Sequence, residues 1–243
     1  MTDPMIDPAL GELPPPERAA YFLDFDGTLV DIAPTPQSVQ VDPALPGHLA
    51  ALRLLCGDAV AIVTGRPIAE VEGFLPGAAY AVAGEHGTAL RPSPSAEIDR
   101  IRLDPLPPDW LVAAGQLAAS HPGALLEPKR HGFALHYRAA PHTGASLQAA
   151  LKTLVAQDSA GYEMIAAKMA WEVRPRGVDK GSAVRTLMQH APFAGRVPVF
   201  IGDDVTDEDG MDAAREMGGV GLRVPEVFGD PAGVRAWIAK IVG

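Results

Sequence analysis

The chain has 243 residues, 47% of them hydrophobic and 21% charged, a composition suited to one large globular domain or two modest ones. Its formal net charge of −10 argues against a general nucleic-acid or membrane-surface binder, since both need a basic face. A single cysteine, Cys56, excludes an intrachain disulfide, and no apolar run approaches the ~18 residues of a membrane span.

Residues 1–20 are Pro-rich, with no basic region or apolar stretch. They read as a flexible tail, not a secretory signal, and a cytoplasmic protein is expected. Apolar runs follow in order: "AYFLDFDG", "DAVAIVTGRP", "AAYAVAGEHG" and, much later, "RVPVFIGDD" and "GVGLRV". They are short, rich in Val, Ile, Phe and Ala, and barely alternate, which is the pattern of strands buried on both faces of a parallel sheet. "PGHLAALRLLC", "IAEVEGFL", "KGSAVRTLMQHA" and "DEDGMDAAREMG" lie between them as helices. Strands alternating with helices predict an α/β fold, a Rossmann-like doubly wound parallel sheet over residues 21–103 and 176–243. Cys56, in "ALRLLCGDAV", reads as a buried structural thiol.

Residues 104–175 read differently. "PPDWLVAAGQLAASHP" and "TGASLQAALKTLVAQ" suit amphipathic helices, and "LLEPKRHGFALHYR" suits two strands around a turn near Gly132. "KMAWEVRP" alternates, with Met169, Trp171 and Val173 on one face and Lys168, Ala170, Glu172 and Arg174 on the other, which is expected to be open. An α+β unit inserted into the larger domain is predicted.

The polar ends of the strands carry the chemistry. Asp24 and Asp26 are two apart and point the same way on an extended chain. Ligands of open parallel sheets bind beyond the carboxyl strand ends. Two like charges sharing a side there repel unless a cation lies between them or one holds a proton. The plain alternative is an Asp-Gly turn. A second apolar strand ends in Asp203, Asp204, Asp207, Glu208 and Asp209. Thr206 with Asp209 fits a capping box, so Glu208 and Asp209 are assigned to a helix N-terminus. Asp203 and Asp204 precede it, where a cation would be held opposite Asp24 and Asp26. Carboxylates and a backbone carbonyl, with no His or Cys cluster, suit Mg²⁺. In "VTGRP", Thr64 offers a hydroxyl, Gly65 an approachable N–H, and Pro67 suits the first position of a helix whose N-terminus could cradle phosphate. Arg66 either clamps an anion or pairs with an acid. Lys180 opens a helix, against the dipole, which favours a functional reason over a solvated charge.

"DFDGTL", "VTGR", Lys180 and "GDDVTDED" stand in the order of four motifs, and the chain resembles the haloacid dehalogenase-like (HAD) phosphatases along its whole length. "GEHG" at 84–87, "EPKRHGFALHYR" at 127–138 and "KMAWEVRPRGVDKG" at 168–181 narrow the resemblance to the trehalose-6-phosphate phosphatase family, with Ala167 and Gly210–Met211 as departures. The resemblance implies a HAD core carrying a C2-type cap that closes over the sugar. It implies Asp24 as nucleophile, Asp26 as general acid–base, and Thr64 and Lys180 on the phosphoryl oxygens. Mg²⁺ would be held by Asp24, the Asp26 carbonyl and Asp203, with Asp204 and Asp207 supporting its waters and orienting Lys180. Trehalose 6-phosphate would be bound by Gly65, Arg66, Glu85, His86, Glu127, Lys129, Lys168 and Glu172. A surface ion pair remains the alternative for Lys168 and Glu172, and a structural turn for Glu85 and His86. The competing functions are phosphatases for sucrose-phosphate or mannosyl-phosphoglycerate, and an inactive regulatory module that binds a sugar phosphate. No nucleic-acid or membrane partner is expected, and a monomer is the working state.

Overall fold

In a computed structural model of the protein, the described residues are 8–243 apart from positions 12, 34, 104, 130 and 168, without the side chains at 8, 9 and 36. Positions 1–7 of the expected tail lie outside them, whereas Ala19 and Ala20 are buried in the first strand. The chain divides into two compact units. One runs to Ile101 and resumes over Val178–Gly243; the other is Arg102–Gly177.

The strands in chain order are β1 (Ala19–Leu23), β2 (Val60–Val63), β3 (Ala81–Gly84), β4 (Ala89–Arg91), β5 (Asp99–Arg100), β6 (Leu125–Pro128), β7 (Phe133–His136), β8 (Tyr162–Ala167), β9 (Ala170–Pro175), β10 (Val197–Gly202) and β11 (Val220–Arg223). The larger unit holds a seven-stranded sheet in the order β11-β10-β1-β2-β3-β4-β5. The first five of these are parallel, as their unbroken apolar runs predict, and β4 and β5 add an antiparallel edge. Those last two strands are too short to leave a pattern in the sequence.

β1 is central and wholly buried because both of its faces are covered. Tyr21 meets Trp237 edge-on at 5.9 Å on one side, and Phe22 stacks on Phe193 at 5.5 Å on the other. Burying such a ring contributes roughly 1.5–3 kcal/mol. Trp237 comes from the helix Pro231–Val242, which also contributes Val234 and Ile238 to the core. Asp230 caps this helix by accepting from the Gly233 amide at 2.9 Å. The pairing register sets Leu23 beside Ile62 on one flank and Ile201 on the other. The three strands therefore end at one level, with Asp24, Thr64 and Asp203 emerging together. β1 is also where the strand order switches direction, the place where open α/β sheets bind ligands.

The second unit is a four-stranded antiparallel sheet, β6-β7-β9-β8. Helices Pro108–Ser120 and Gly144–Val155 cover one face through Trp110, Ala114, Leu147 and Leu151 against Phe133, Leu135, Tyr162 and Val173. The other face is not open along β9, contrary to expectation: Ala170, Glu172 and Arg174 are all buried. β9 is an inner strand, with Lys129 lying on Glu172 and Glu163 on Arg174. Among the described residues no helix is long and apolar enough to cross a membrane.

Cys56 is buried beside β2, and burial pushes its thiol up to about 11, with Arg196 opposing. A thiol raised that far holds almost no thiolate at neutral pH. Iodoacetamide at pH 8 is expected to leave Cys56 unmodified in the native protein and to label it fully in denaturant, as read by mass spectrometry. Native labelling at the rate of a free thiol would contradict the burial.

Candidate active site

The common ending of β1, β2 and β10 gathers four polar side chains. Asp24 is 4% exposed, and its amide donates to the Ile201 carbonyl at 2.9 Å, one rung past the last sheet pair. Lys180 opens the helix Lys180–Leu187 yet is only 3% exposed. Its Nζ donates to Asp24 Oδ1 at 2.7 Å and to Asp207 Oδ1 at 2.5 Å. Asp207 is 0% exposed, and its Oδ2 accepts from the amides of Asp203 and Asp204, both at 3.0 Å. Asp179 caps the lysine's helix reciprocally with Ser182, so the backbone at Lys180 is fixed independently of its charge.

Three carboxylates share this space. Oxygens of Asp24, Asp203 and Asp207 all lie within 4.8 Å of one another. Burial, and then Asp207, push the Asp24 carboxyl well above the usual range, against the pull of Lys180. Burial, then Asp207 and Asp204, push Asp203 up to about 6. Burial works against the charge on Lys180, but Asp24 and Asp207 outweigh it and raise its pKa. One lysine cannot balance three acids, and the surplus negative charge in a buried site suits a divalent cation with oxygen ligands. The backbone is shaped for it. Gly27 holds φ +75°, and a Cβ there would lie 2.3 Å from Asp203 Oδ2. Only glycine lets the loop after Asp26 pass this close to the second acidic loop. Asp24, Asp203 and Asp207 are thus the residues that fit Mg²⁺.

Other acids have different tasks. The expected capping box of Thr206 and Asp209 does not form. Asp204 caps the short turn Val205–Asp207 instead, accepting from the Val205 amide at 2.7 Å, and Asp207 closes that box. Glu208 pairs with Arg223. The Asp26 carboxylate is turned to Arg66, which grips it with Nε at 2.6 Å and Nη2 at 2.8 Å. That fork also ties Arg66 to Glu70 at 3.2 Å, so its partners include two acids. Asp31, just beyond the turn, meets Arg235 at 3.2 Å, and Arg235 also donates to the Leu29 carbonyl at 3.1 Å.

Thr64 is buried at the end of β2, with its Oγ1 accepting from the Arg66 amide at 3.2 Å. Pro67 is the cap of the helix Ile68–Phe74, one place earlier than expected. Glu85 and His86 form a turn with φ of +52° and +56°, which side chains rarely adopt. Their amides donate to the carbonyls of Arg66, at 3.0 Å, and Thr64, at 3.1 Å. The His86 ring lies over Gly65, where a Cβ would be 2.6 Å from Nε2. Glu85 pairs with Arg100 at 2.5 Å. The turn therefore presses on the Thr64–Arg66 loop from the neighbouring strand.

In the four-stranded unit Lys129 and Glu172 pair at 2.8 Å, with Glu172 6% exposed. Glu127 is exposed and bound by His136, a residue the sequence reading passed over. The hairpin register that brings them together was its only signal. Lys168 lies outside the described residues.

A mostly parallel sheet whose central strand ends in an acid, bridged by a buried lysine to a second acidic loop, defines a phosphohydrolase of the haloacid dehalogenase-like class. The family model described as Trehalose-phosphatase matches residues 22–232. The chain is 35% identical over 229 residues to the trehalose-6-phosphate phosphatase of Escherichia coli strain K12, across 92% of this chain and 82% of that protein. It is 36% identical over 213 residues to a probable trehalose-phosphate phosphatase of Sinorhizobium fredii, across 84% of this chain and 77% of that protein. In fold it is similar to the C-terminal domain of C. albicans trehalose-6-phosphate phosphatase, with a TM-score of 0.73 at 22% identity over 93% of this chain and 92% of that one. The chain belongs to the trehalose-phosphatase family and is a phosphoric monoester hydrolase.

Binding of Mg²⁺ to the native state alone would stabilise it, by ~2.7 kcal/mol at a free concentration a hundredfold above Kd. Saturating Mg²⁺ is expected to raise the thermal midpoint of the native protein, and Asp203→Asn to remove that shift. A full shift in the variant would place the ion elsewhere.

Proposed function

We propose that the protein hydrolyses trehalose 6-phosphate to trehalose and phosphate through an aspartyl-phosphate formed on Asp24. The observation that carries this reading is the Lys180 ammonium bridging Asp24 and Asp207 at 2.7 and 2.5 Å beyond the end of β1. A nucleophilic carboxylate must approach an anionic phosphoryl group, and this arrangement holds a fixed cation beside it. Mg²⁺ on Asp24, Asp203 and Asp207, with the Asp26 carbonyl, would supply further neutralisation of the phosphoryl oxygens.

A carboxylate oxygen of Asp24 forms a bond to phosphorus while the bond from phosphorus to the sugar oxygen breaks. Asp26, once out of the Arg66 fork and protonated, gives that oxygen its proton. A water then attacks phosphorus and yields a proton to Asp26, the bond to Asp24 breaks, and phosphate leaves. General acid–base help of this kind contributes ~10²–10⁴-fold. Thr64 and Lys180 hold the phosphoryl oxygens, with Gly65 offering an amide. Arg66, which grips the Asp26 carboxylate, balances the charge left on it after that transfer, and Glu85 and His86 shape the loop that carries the arginine. Residues 21–103 and 176–243 form the catalytic core in this reading, and residues 104–175 the cap. The sugar is read by Glu127, Lys129, Lys168 and Glu172, since paired carboxylates and ammonium groups match the acceptors and donors of hydroxyls.

Two experiments test it. Wild type is expected to release phosphate from trehalose 6-phosphate in preference to sucrose 6-phosphate and glucose 6-phosphate, with chelation of Mg²⁺ stopping turnover. Asp24→Asn should lower kcat to the detection limit and prevent trapping of phosphate on the protein. Retained turnover in that variant would exclude the covalent route, and no activity on any sugar phosphate would revive a regulatory role. Separately, Glu172→Ala should reduce kcat/KM on trehalose 6-phosphate by roughly 100-fold, as loss of a buried charged contact does, and by far less on para-nitrophenyl phosphate. Equal losses on both would place Glu172 in the structure and not in sugar recognition.

A further inference from the structure

The face of the small sheet turned from its helices is laid out in rows by the strand register. Glu127 on β6, Ala134 on β7, Glu172 on β9 and Ile165 on β8 make one row; Leu125, His136, Ala170 and Ala167 make the next. In the first row the inner strand β7 offers only a methyl group. Long side chains from its two sides can therefore meet across β7, and Lys129, just past the end of β6, reaches Glu172 on β9. Glu127 faces the same methyl and gains nothing from it. Its partner comes from the adjacent row instead. His136 Nε2 lies 2.6 Å from Glu127 Oε2, across the diagonal of the β6–β7 pair. Diagonal neighbours on one sheet face lie within reach of long side chains. Against a carboxylate oxygen, Nε2 carries the proton and donates.

We infer that His136 is a positioning residue for sugar recognition: it fixes the Glu127 carboxylate on the His136 side of its row, so that Glu127 and Glu172 present two acceptors from the strands on either side of Ala134. This inference rests on the proposal that Glu127, Lys129 and Glu172 read the sugar. Its physical content is conformational. An exposed glutamate on an outer strand samples many rotamers, and ordering it opposes ligand binding. A histidine that holds Oε2 removes that cost and leaves Oε1 for a hydroxyl. The pair's own contribution to folding is small, because exposed ion pairs are screened. Stability and recognition therefore separate experimentally.

The test compares His136→Ala, His136→Gln, Glu127→Ala and the Glu127→Ala/His136→Ala double variant on trehalose 6-phosphate and on para-nitrophenyl phosphate, with thermal midpoints alongside. His136→Ala is expected to raise KM for trehalose 6-phosphate roughly 5-fold, the scale of ordering one long side chain, with kcat within about 2-fold. On para-nitrophenyl phosphate both constants should move by less than about 2-fold. His136→Gln, which keeps an N–H donor, should recover most of the loss, and the double variant should be no worse than Glu127→Ala alone. If Glu127→Ala raises KM and His136→Ala does not, the positioning role is overturned and the sugar reading stands. Equal losses on both substrates with a lowered midpoint would overturn it as well, by making His136 structural. If Glu127→Ala leaves KM for trehalose 6-phosphate unchanged, the sugar reading fails and takes this inference with it.

Discussion

The structure is organised around a lysine held between two buried carboxylates. Lys180, Asp24 and Asp207 are each nearly sealed from solvent, and desolvating an ion costs several kcal/mol even after the protein relaxes. The triad is tolerable because its geometry is tight and the lone pairs of Asp207 are largely occupied. Asp207 takes two backbone amides besides the lysine, and Asp24 is flanked by an intact sheet. Replacing such a group with apolar residues would often cost nothing in stability, so stability alone does not account for it. The register of β1 against β10, the two capping boxes and the buried helix start all keep these three charges in place.

The same logic extends outward as a chain of fixed contacts. Arg66 holds Asp26, the Arg66 carbonyl is held by the Glu85 amide, and Glu85 is held by Arg100. Two consecutive residues in the left-handed region cost of order 1–3 kcal/mol each. They persist because the turn delivers two backbone donors to the Thr64–Arg66 loop and the His86 ring to Gly65. Strain in one strand connection thus sets the shape of the next.

The readable part of this fold was what physics writes locally. β1, β2, β3, β10 and β11 appear as continuous apolar runs because both sheet faces are covered, and the acids stand out because they end such runs. Lys180 was legible through its conflict with the helix dipole. What was not legible depends on pairing. The capping role of Asp204 and Asp207 competes with an equally good local pattern at Thr206 and Asp209, and only the pull of Lys180 and the amides on Asp207 decides between them. The two-residue strand β5 carries no periodicity. Glu172 is covered in part by Lys129 from beyond the neighbouring hairpin strand, a long-range contact that alternation alone cannot report. His136 joins Glu127 through a diagonal that exists only once the hairpin closes.

The central position of β1 has a consequence for biosynthesis. One flank of this strand is filled by β2, about forty residues downstream, but the other waits for β10, whose Ile201 pairs with Leu23. At ~5–20 residues per second, roughly 7 to 27 s of translation separate the two. Through that interval the nascent chain carries an apolar strand with an unpaired edge, and Asp24 lacks its lysine, which is 156 residues away in sequence. The catalytic centre is therefore among the last parts of the chain to assemble. A strand destined to be wholly buried must be shielded, by chaperones or by transient collapse, while the whole of Arg102–Gly177 is still being made.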